Sequence, residues 1–487
     1  MAKIRTKIIL ILGLLVLLIS FYITFNRQIP NNRHVISIDR VNNLGYSAPT
    51  PTGGDEFMSV WDTTKISEGS SNSSQVRLPL QSIGTYNFTV EWGDGNSSTI
   101  ISWNQTAVTH SYYSEGIYKI NTTGFIRGWR FAGAGDRLKL LEIVQWGCLQ
   151  LGNSGNYFAG CENLNLTATD APDLTGTTTL NSAFKDCAKL GSEGDMNSWD
   201  VSNVTDMNYM FDMALSFNQP LGNWEVSNVK TMDFMFAGDL FYPMYSAFNQ
   251  PIKNWNISNL RSMRLVFFSA GSFNQDISAW DVSNVRDLVE VFMGANSFNQ
   301  PIGSWNTSNI IDMYGMFWGA DSFNQPIGDW DVSNVNIMSY MFEDARSFNQ
   351  PLGDWDVSNV LDMESMFCMA WAFDQNLGKW NVSNVEDMRS MFFTSGLSTN
   401  NYNNLLIGWS QLTLQNGIRF DAYNTKYGMS GFFARQKIIE NFNWTINDGG
   451  FELLYGYDQV FIDTIFIISV IYVILLLGKK VLKLLNK

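Results

Sequence analysis

The dominant feature of this chain is a pattern of apolar and polar positions that returns at a fixed interval. The string FNQPIG-x-W-x-VSNV-x-x-M-x-x-MF recurs through the middle of the sequence. Its tryptophans are 25 residues apart, except for one interval of 31 where an insertion around Leu240–Tyr245 adds six residues. A period of this length is typical of coils that stack in one dimension and bury their apolar faces against each other. The repeat tryptophans are Trp199, Trp224, Trp255, Trp280, Trp305, Trp330, Trp355 and Trp380.

Within one repeat, residues 327–348, the apolar positions form two groups. The first has the L-x-x-L-x-L spacing of a leucine-rich repeat and predicts a short strand; it comprises Ile327, Trp330, Val332 and Val335. The second has the spacing of one helix face and predicts a short helix or 3₁₀ segment; it comprises Met338, Met341, Phe342 and Ala345. Residues 138–395 are therefore predicted to form a leucine-rich-type repeat solenoid, with a parallel β-sheet and short helices.

The motif M-F-x-x-A-x-x-F-N-Q-x-I/L-x-x-W-x-V-S-N-V resembles the BspA-like leucine-rich-repeat surface proteins, and especially the Mycoplasma-type lipoprotein repeat. The resemblance covers about 250 residues. It implies a cell-surface protein for adhesion or partner binding. A lipoprotein would need a lipobox cysteine after the first apolar run, and none stands there. The resemblance also implies that residues 396–458 close the array as a C-terminal cap.

Residues 56–130 have the pattern of a small β-sandwich. Residues 86–92 alternate apolar and polar positions, as a half-buried strand does, and a Gly-Asp-Gly turn follows. This segment, with His110-Ser-Tyr112 and Gly116-Ile-Tyr118 after it, resembles the PKD-type immunoglobulin-like domain. The resemblance implies a spacer or interaction module without catalytic residues. A polar linker, residues 28–55, precedes it.

Two apolar runs lie at opposite ends of the chain. Residues 1–27 contain 18 uncharged residues from Ile8 to Phe25, which predicts a transmembrane anchor or, alternatively, a cleaved signal peptide. Residues 460–478 predict a second transmembrane helix, followed by a basic tail, 479–487. Because cationic flanks stay on the cytoplasmic side, both termini are predicted to be cytoplasmic. The chain is then a cell-membrane protein with an extracellular ectodomain.

The balance of charge excludes one class of partner. The chain has 45 acidic and 31 basic residues, a net charge of −14, and the two ends carry eight of the basic residues. A surface this acidic does not bind nucleic acid phosphates. It suits solubility, cations or basic partners.

Two modifications fit an exterior compartment. Cys161 and Cys187 occupy the same place in successive repeats, and coils ~5 Å apart would bring them within disulfide range. A disulfide and two free buried thiols are both open interpretations. N-x-S/T sequons predict glycosylation at Asn72, Asn87, Asn96, Asn104, Asn121, Asn165, Asn203, Asn256, Asn306, Asn381 and Asn443.

The sequence offers no catalytic centre. It has only two histidines, His34 and His110, and it shows no nucleophile–base pairing, no phosphate loop and no His/Cys metal spacing. We therefore expect a protein that is not an enzyme, with no cofactor and no dedicated metal site.

One polar position per repeat is predicted to project from the strand, followed by an invariable serine. A ladder of these side chains would form a ligand-binding strand face, with Ca²⁺ as a possible bridge between carboxylates; the alternative is a solvated face that only holds turns. The residues are Asp200, Glu225, Asn256, Asp281, Asn306, Asp331, Asp356 and Asn381. The expected function is non-catalytic recognition of, or adhesion to, a protein or glycan ligand through this face. The alternative is a structural surface coat of laterally packed solenoids.

Overall fold

The structure is a computed structural model, and it describes residues 55–239 and 245–452. All of these residues belong to one compact unit. Nearly all of the predicted linker, both predicted transmembrane segments and the basic tail lie outside the described residues. Among the residues that are described, there are eleven β-strands and two α-helices.

A seven-stranded sheet forms the N-terminal part, with β4-β3-β6-β1-β7-β9 in order and β8 beside β6. It is antiparallel from β4 to β7, whereas β9 and β8 join in parallel. Strands β2 and β5 pair separately. The bounds are β1 Phe57–Asp62, β2 Gln75–Arg77, β3 Leu80–Glu91, β4 Ser97–Ile100, β5 Thr109–Ser111, β6 Ile117–Trp129, β7 Leu140–Gln145, β8 Leu149–Gln150 and β9 Asn165–Leu166.

The fold class of a small β-sandwich, predicted for 56–130, is corrected, because the strands of this segment belong mainly to a mixed sheet that extends past residue 130. Strand β7, residues 140–145, pairs with β1, and β9, residues 165–166, pairs with β7, so the main sheet continues into the repeats. The apolar core is also shared. Trp129 packs against Trp61 and Phe131, and Phe131 contacts Phe158 of the first repeat, with ring centroids 6.4 Å apart.

A fully buried lysine fixes the loop between β1 and β2. The Lys139 ammonium donates to the Ser71, Asn72 and Gln75 carbonyl oxygens at 2.8–2.9 Å. It lies 3.6 Å from the Asp136 carboxylate, and neither side chain is exposed. Burial lowers the pKa of Lys139, and the carboxylate of Asp136 opposes that shift. The charge is tolerated because it is both paired and hydrogen-bonded.

The repeat array differs from the predicted solenoid, and that fold class is corrected. Between Ser198 and Thr399 the described residues form no helix and no strand longer than a single bridge. Successive repeats are joined by isolated parallel bridges, such as Asp287 with Asp312 and Asp312 with Ile337. Over the described residues between Ser198 and Thr399, the array is built of turns, with neither a continuous parallel sheet nor short helices. The predicted strand 330–332 and the predicted helix after Met338 are both absent.

The helical spacing is produced here by two consecutive tight turns. In one repeat, Met341 N–H donates to the Met338 carbonyl and Ala345 N–H to the Phe342 carbonyl, each at 3.2 Å. Tyr340 and Asp344 stand third in these turns with positive φ, where type II turns require it. A left-handed residue every fourth position cannot continue a helix. The amides of Tyr340, Phe342 and Asp344 instead donate to the next repeat.

Stacked aromatic rings form the core of the array. Phe292, Phe317, Phe342 and Phe367 lie face to face in a column, with centroids 5.6–5.7 Å apart. A second column joins tryptophans of successive repeats, with Trp305 and Trp330 6.4 Å apart. All eight repeat tryptophans are at most 4% exposed. The predicted inward residues are therefore buried, although the elements that carry them differ from the prediction.

The C-terminal segment has its own helices and covers the last repeat. Helix α1 is Thr399–Trp409, α2 is Met429–Phe442, and the short parallel strands are β10 Arg419–Asp421 and β11 Thr445–Asn447. Phe392 N–H donates to the Asp421 carbonyl, and Ser390 N–H donates to the Asp421 carboxylate. Asp421 thus satisfies amide donors that an internal repeat would direct to the following one.

The predicted location across a membrane is also corrected. Within residues 55–239 and 245–452, no helix is long and apolar enough to cross a bilayer. The two apolar runs that carried the prediction lie outside those ranges.

Candidate functional site

The polar positions predicted as a ligand-binding strand face are all exposed, but they hold turns rather than lie on a strand. In most of them a side-chain oxygen accepts from the amide two residues on. Asp281 Oδ1 accepts from Ser283 N at 3.0 Å, and Asp200 Oδ1 accepts from both the amide and the hydroxyl of Ser202. Those hydrogen bonds lower the pKa of Asp200. Such local bonds are the usual role of Asp and Asn in turns.

The asparagine that follows each serine connects neighbouring repeats. Asn309 Nδ2 donates to the Ser283 carbonyl at 2.7 Å, and Asn334 Nδ2 donates to the Ser308 carbonyl at 2.8 Å. We name the exposed Asp/Asn, Ser and Asn positions of the VSNV segments the Ser-Asn face. Within the described part of the chain, no group of three or more His, Cys, Asp or Glu residues is placed to hold a metal ion. Ligand binding by this face stays a prediction.

The predicted modification sites are placed as follows. Cys161 and Cys187 are free, fully buried thiols, so the structure contains no disulfide between them. Cys187 Sγ donates to the Phe158 carbonyl at 3.2 Å. Of the eleven sequon asparagines, only Asn121 and Asn165 are half-buried, and the other nine are exposed. Their glycosylation stays a prediction.

A second surface carries side chains whose chemical class changes from one repeat to the next. In the two tight turns that follow each repeat methionine, the positions outside the main core change class from repeat to repeat. We name these positions the variable face. After Met313 it has Tyr314, Gly315, Trp318 and Gly319; after Met338 it has Ser339, Tyr340, Glu343 and Asp344; after Met363 it has Glu364, Ser365, Cys368 and Met369. The Ser-Asn face, by contrast, barely changes along the array.

Part of the variable face is a second apolar cluster, separate from the main core. Leu265, Phe268, Val289 and Met293 are its centre, with Phe234, Tyr314 and Trp318 half-buried around them. The centre of the cluster is buried, and its half-buried aromatic rings are the part that reaches the surface.

Three rings extend this cluster across two repeats. The centroids of Tyr314 and Tyr340 are 5.3 Å apart with a tilt of 49°, and those of Trp318 and Tyr340 are 5.3 Å apart and stacked. Gly315 occupies in its repeat the position that Tyr340 occupies in the next repeat, but it has no side chain. A Cβ at Gly315 would lie 3.1 Å from Glu290 Cγ and 3.8 Å from Trp318. The glycine is buried and lets the Glu290 side chain lie close to the backbone at this position.

Carboxylates surround the rings. Burial raises the pKa of Glu343 to about 7, and the charges of Asp344 and Glu364 add to this effect. Burial likewise raises the pKa of Tyr314, with smaller contributions from Glu290 and Glu343. These mutual effects require the acids to be close together in a partly water-excluded region.

The local cations are already engaged. Arg264 pairs with Asp287, Arg389 with Asp387 and Glu364, and Arg346 with Asp344 and Asp321. Within the described ranges, neither Glu290 nor Glu343 forms an ion pair, and the buried Oε2 atom of Glu343 has no hydrogen-bond partner.

Sequence reasoning missed this surface because it assigned the segment after each methionine to a core-facing helix. A signal was nevertheless present, since the residues between the mostly constant Met, Met-Phe and Ala positions differ from repeat to repeat. Variation on a constant frame is typical of binding loops on a rigid scaffold.

Comparison with known proteins gives a family. A family model described as a Mycoplasma protein of unknown function, DUF285, matches residues 152–242, 238–313 and 300–405, which together exceed half of the chain. No curated protein matches the chain. The family match supports the Mycoplasma-type repeat resemblance, and nothing in it supports a PKD-like N-terminal domain.

Proposed function

Because this chain belongs to the DUF285 family of Mycoplasma proteins of unknown function, we propose that it is a surface protein that recognises a macromolecular partner without catalysing a reaction. The observation that carries the proposal is the variable face. A stack of nearly identical turns keeps the aromatic and acidic side chains in fixed positions, while their identity changes from one repeat to the next. That division between frame and variable surface is what recognition requires and what an inert spacer does not.

The composition of the variable face also supports recognition. Aromatic residues are enriched at the energetically important centres of protein interfaces. Tyr314, Trp318 and Tyr340 are half-buried rings in contact with one another, so little ordering would be lost on binding. The Ser-Asn face is less suited, because its side chains already hold turns and neighbouring repeats together.

The test is binding of the purified full chain to an array of glycans and surface proteins, with and without Ca²⁺. A specific partner should be lost in Trp318→Ala and kept in the triple variant Asp281→Asn, Asp331→Asn and Asp356→Asn. Asparagine occupies that position in other repeats, so the triple variant should fold.

The opposite pattern, loss in the triple variant alone, would move the binding surface to the Ser-Asn face. Silence from a folded protein would contradict recognition and favour the structural coat. In that case, lateral ordering of the purified chain should be visible by electron microscopy.

A further inference from the structure

We propose that a row of three cations on the repeat array binds an anionic polysaccharide, whose carboxylate or sulfate groups lie along successive repeats. The row consists of Lys230, Arg261 and Arg286, which occupy the same position in three consecutive repeats, directly after the VSNV-type segment. We name it the basic row. It borders the Ser-Asn face and lies outside the variable face, so the inference goes beyond the proposed function and does not depend on it.

The backbone aligns these positions from one repeat to the next. Arg261 N–H donates to the Lys230 carbonyl at 2.9 Å, and Ile311 N–H donates to the Arg286 carbonyl at 2.9 Å. Asn284 Nδ2, two residues before Arg286, donates at 2.7 Å to a serine carbonyl of the preceding repeat. Coils paired in this way lie about 5 Å apart. The basic row is therefore a line of charges with a fixed spacing.

The three cations have no partner within the part of the chain that the structure describes. All three are exposed, and none of them forms an ion pair or a side-chain hydrogen bond there. Other cations of the array are paired: Lys185 with Asp212, Lys253 with Asp276 and Arg264 with Asp287. Acidic residues outnumber basic ones in this chain, and like charges in adjacent strand positions repel each other. Folding therefore does not account for the row.

The acidic side chains closest in sequence are engaged elsewhere. Asp287 directly follows Arg286, but its Oδ2 accepts from Arg264 Nη1 at 2.6 Å and its Oδ1 from a backbone amide two residues on. On the other side of the turn, Asp281 Oδ1 accepts from the amide two residues on at 3.0 Å. The residues that follow the other two cations are threonine and serine. The row thus remains available to an external anion.

The arrangement of the row selects a chain-like anion. Cations in a line, one per coil, contact successive groups of a polymer, whereas a single phosphate would need cations that converge on one point. The neighbouring side chains of the VSNV-type segments are serine and asparagine, which hydrogen-bond to sugar hydroxyls. Protein interfaces instead centre on aromatic and apolar anchors. Nucleic acid is disfavoured because its binding requires many neutralised phosphates, and this chain has a net charge of −14.

The test is binding of two size-matched oligosaccharides to the immobilised full chain, measured by surface plasmon resonance at two salt concentrations. One is sulfated, a heparin fragment, and the other is carboxylated, an oligogalacturonate. The triple variant Lys230→Asn with Arg261→Asn and Arg286→Asn should weaken binding roughly tenfold and reduce its salt dependence, because exposed charge pairs are individually weak and are screened by salt. Asn336 occupies the same position in a later repeat, so the variant should fold.

The matched control removes three exposed lysines elsewhere, Lys379→Gln, Lys426→Gln and Lys437→Gln, and it should leave binding nearly unchanged. A complementary variant, Ile311→Arg, extends the row to a fourth repeat and should strengthen binding roughly threefold. Ile311 is 47% exposed, so the arginine side chain would project into solvent. Thermal melting checks that each variant is folded.

Three results would overturn the inference. Equal weakening by the two triple variants would mean that the oligosaccharides respond only to net charge. No binding of either oligosaccharide by the folded chain would remove the polysaccharide as a ligand. An oligo-aspartate of equal charge that binds more tightly than both, and loses affinity in the row variant, would replace the polysaccharide by an acidic peptide. Binding of only one oligosaccharide, lost in the row variant, would support the inference and identify the anionic group.

Discussion

At the scale of single residues, the chain places charge where folding does not need it. Glu343 is half-buried, has no ion pair among the described residues and stands next to Asp344. By contrast Lys139, which is also buried, donates to carbonyl oxygens and pairs with Asp136. A charge that costs stability and has no ion-pair partner among the described residues is typical of a functional position.

Glu343→Gln should therefore stabilise the protein at alkaline pH. The pKa of Glu343 is raised to about 7, so the folded state holds this proton more tightly than the unfolded state does. Its contribution to stability is fully present below the ordinary glutamate pKa, near pH 4.5, and is lost as the pH rises through about 7. Thermal melting should show a higher Tm for the variant at pH 8 and little difference at pH 4.5.

The control is Glu440→Gln, which removes an exposed glutamate. It should change the Tm little at either pH. A Glu343→Gln variant that melts below the wild type at pH 8 would show that the charge stabilises the fold, and it would contradict the assignment of Glu343 as an uncompensated acid.

Many of the buried residues could be predicted, because burial follows from their spacing along the chain within one repeat. Trp305, Met338 and Phe342 are fully or almost fully buried, as their period indicates. The roles of the polar residues were harder to predict. Asn309 reaches the carbonyl of the preceding repeat, not its own turn, and such a contact depends on how repeats stack.

At the scale of the element, side-chain hydrogen bonds replace the ladder of a sheet. Asn299 Oδ1 accepts from Asn324 N at 3.0 Å and from Gln325 Nε2 at 2.9 Å in the next repeat. Trp330 Nε1 donates to the Ile302 carbonyl at 3.1 Å. Each repeat is thus tied to its neighbour at several corners of the coil.

Asn299→Ala should destabilise the protein by about 1–3 kcal/mol, because it leaves the Asn324 amide without its acceptor and removes one of the two acceptors of the Gln325 side chain. Asn299→Asp should cost less, since it keeps the acceptor. The chain contains that arrangement already, where Asp374 Oδ1 accepts from Ser398 N and Asn401 Nδ2. Chemical denaturation measures both. If both variants lost the same stability, the side-chain oxygen of Asn299 would not be the group that stabilises the protein.

The elements themselves were mispredicted for a reason of geometry. Apolar residues at Met338, Met341, Phe342 and Ala345 match one face of a helix. Two tight turns closed by i→i+3 bonds bring the same four side chains inward, and hydrophobic spacing cannot distinguish the two solutions. The distinguishing residue is the third in each turn, and glycine occupies it only in some repeats, such as Gly315. Tyr340 and Asp344 have the same left-handed backbone, but their residue types do not indicate it.

At the scale of the whole molecule, the core is continuous from the N-terminal sheet to the C-terminal cap. Ring contacts run from Trp129 through Phe131 and Phe158 into the phenylalanine column. At the other end Phe392 contacts Phe420, which contacts Trp444. No break in packing separates the predicted N-terminal domain from the repeats. Since every repeat touches only its neighbours, coupling between the ends depends on this chain of contacts.

We therefore expect that a cavity in the N-terminal sheet and a cavity in the array lower the same unfolding transition. Trp129→Ala and Trp305→Ala remove side chains that are 1% and 4% exposed, and each should cost about 3–5 kcal/mol. Far-UV circular dichroism and tryptophan fluorescence should shift together in both variants. Trp371→Ala, at a ring that is 58% exposed beneath the Arg346 guanidinium, should shift the transition little.

Two separate transitions would contradict the continuous core. If Trp129→Ala produced an additional unfolding transition at lower temperature and left the main transition of the repeats unchanged, the sheet of β1, β6 and β7 would unfold as an independent unit. The parallel pairing of β7 with β9 argues against this, because unfolding the sheet would expose Phe158 and Leu166, which are fully buried in the first repeats. A single shared transition would mean that a partner bound at the variable face stabilises residues as far away as the N-terminal sheet.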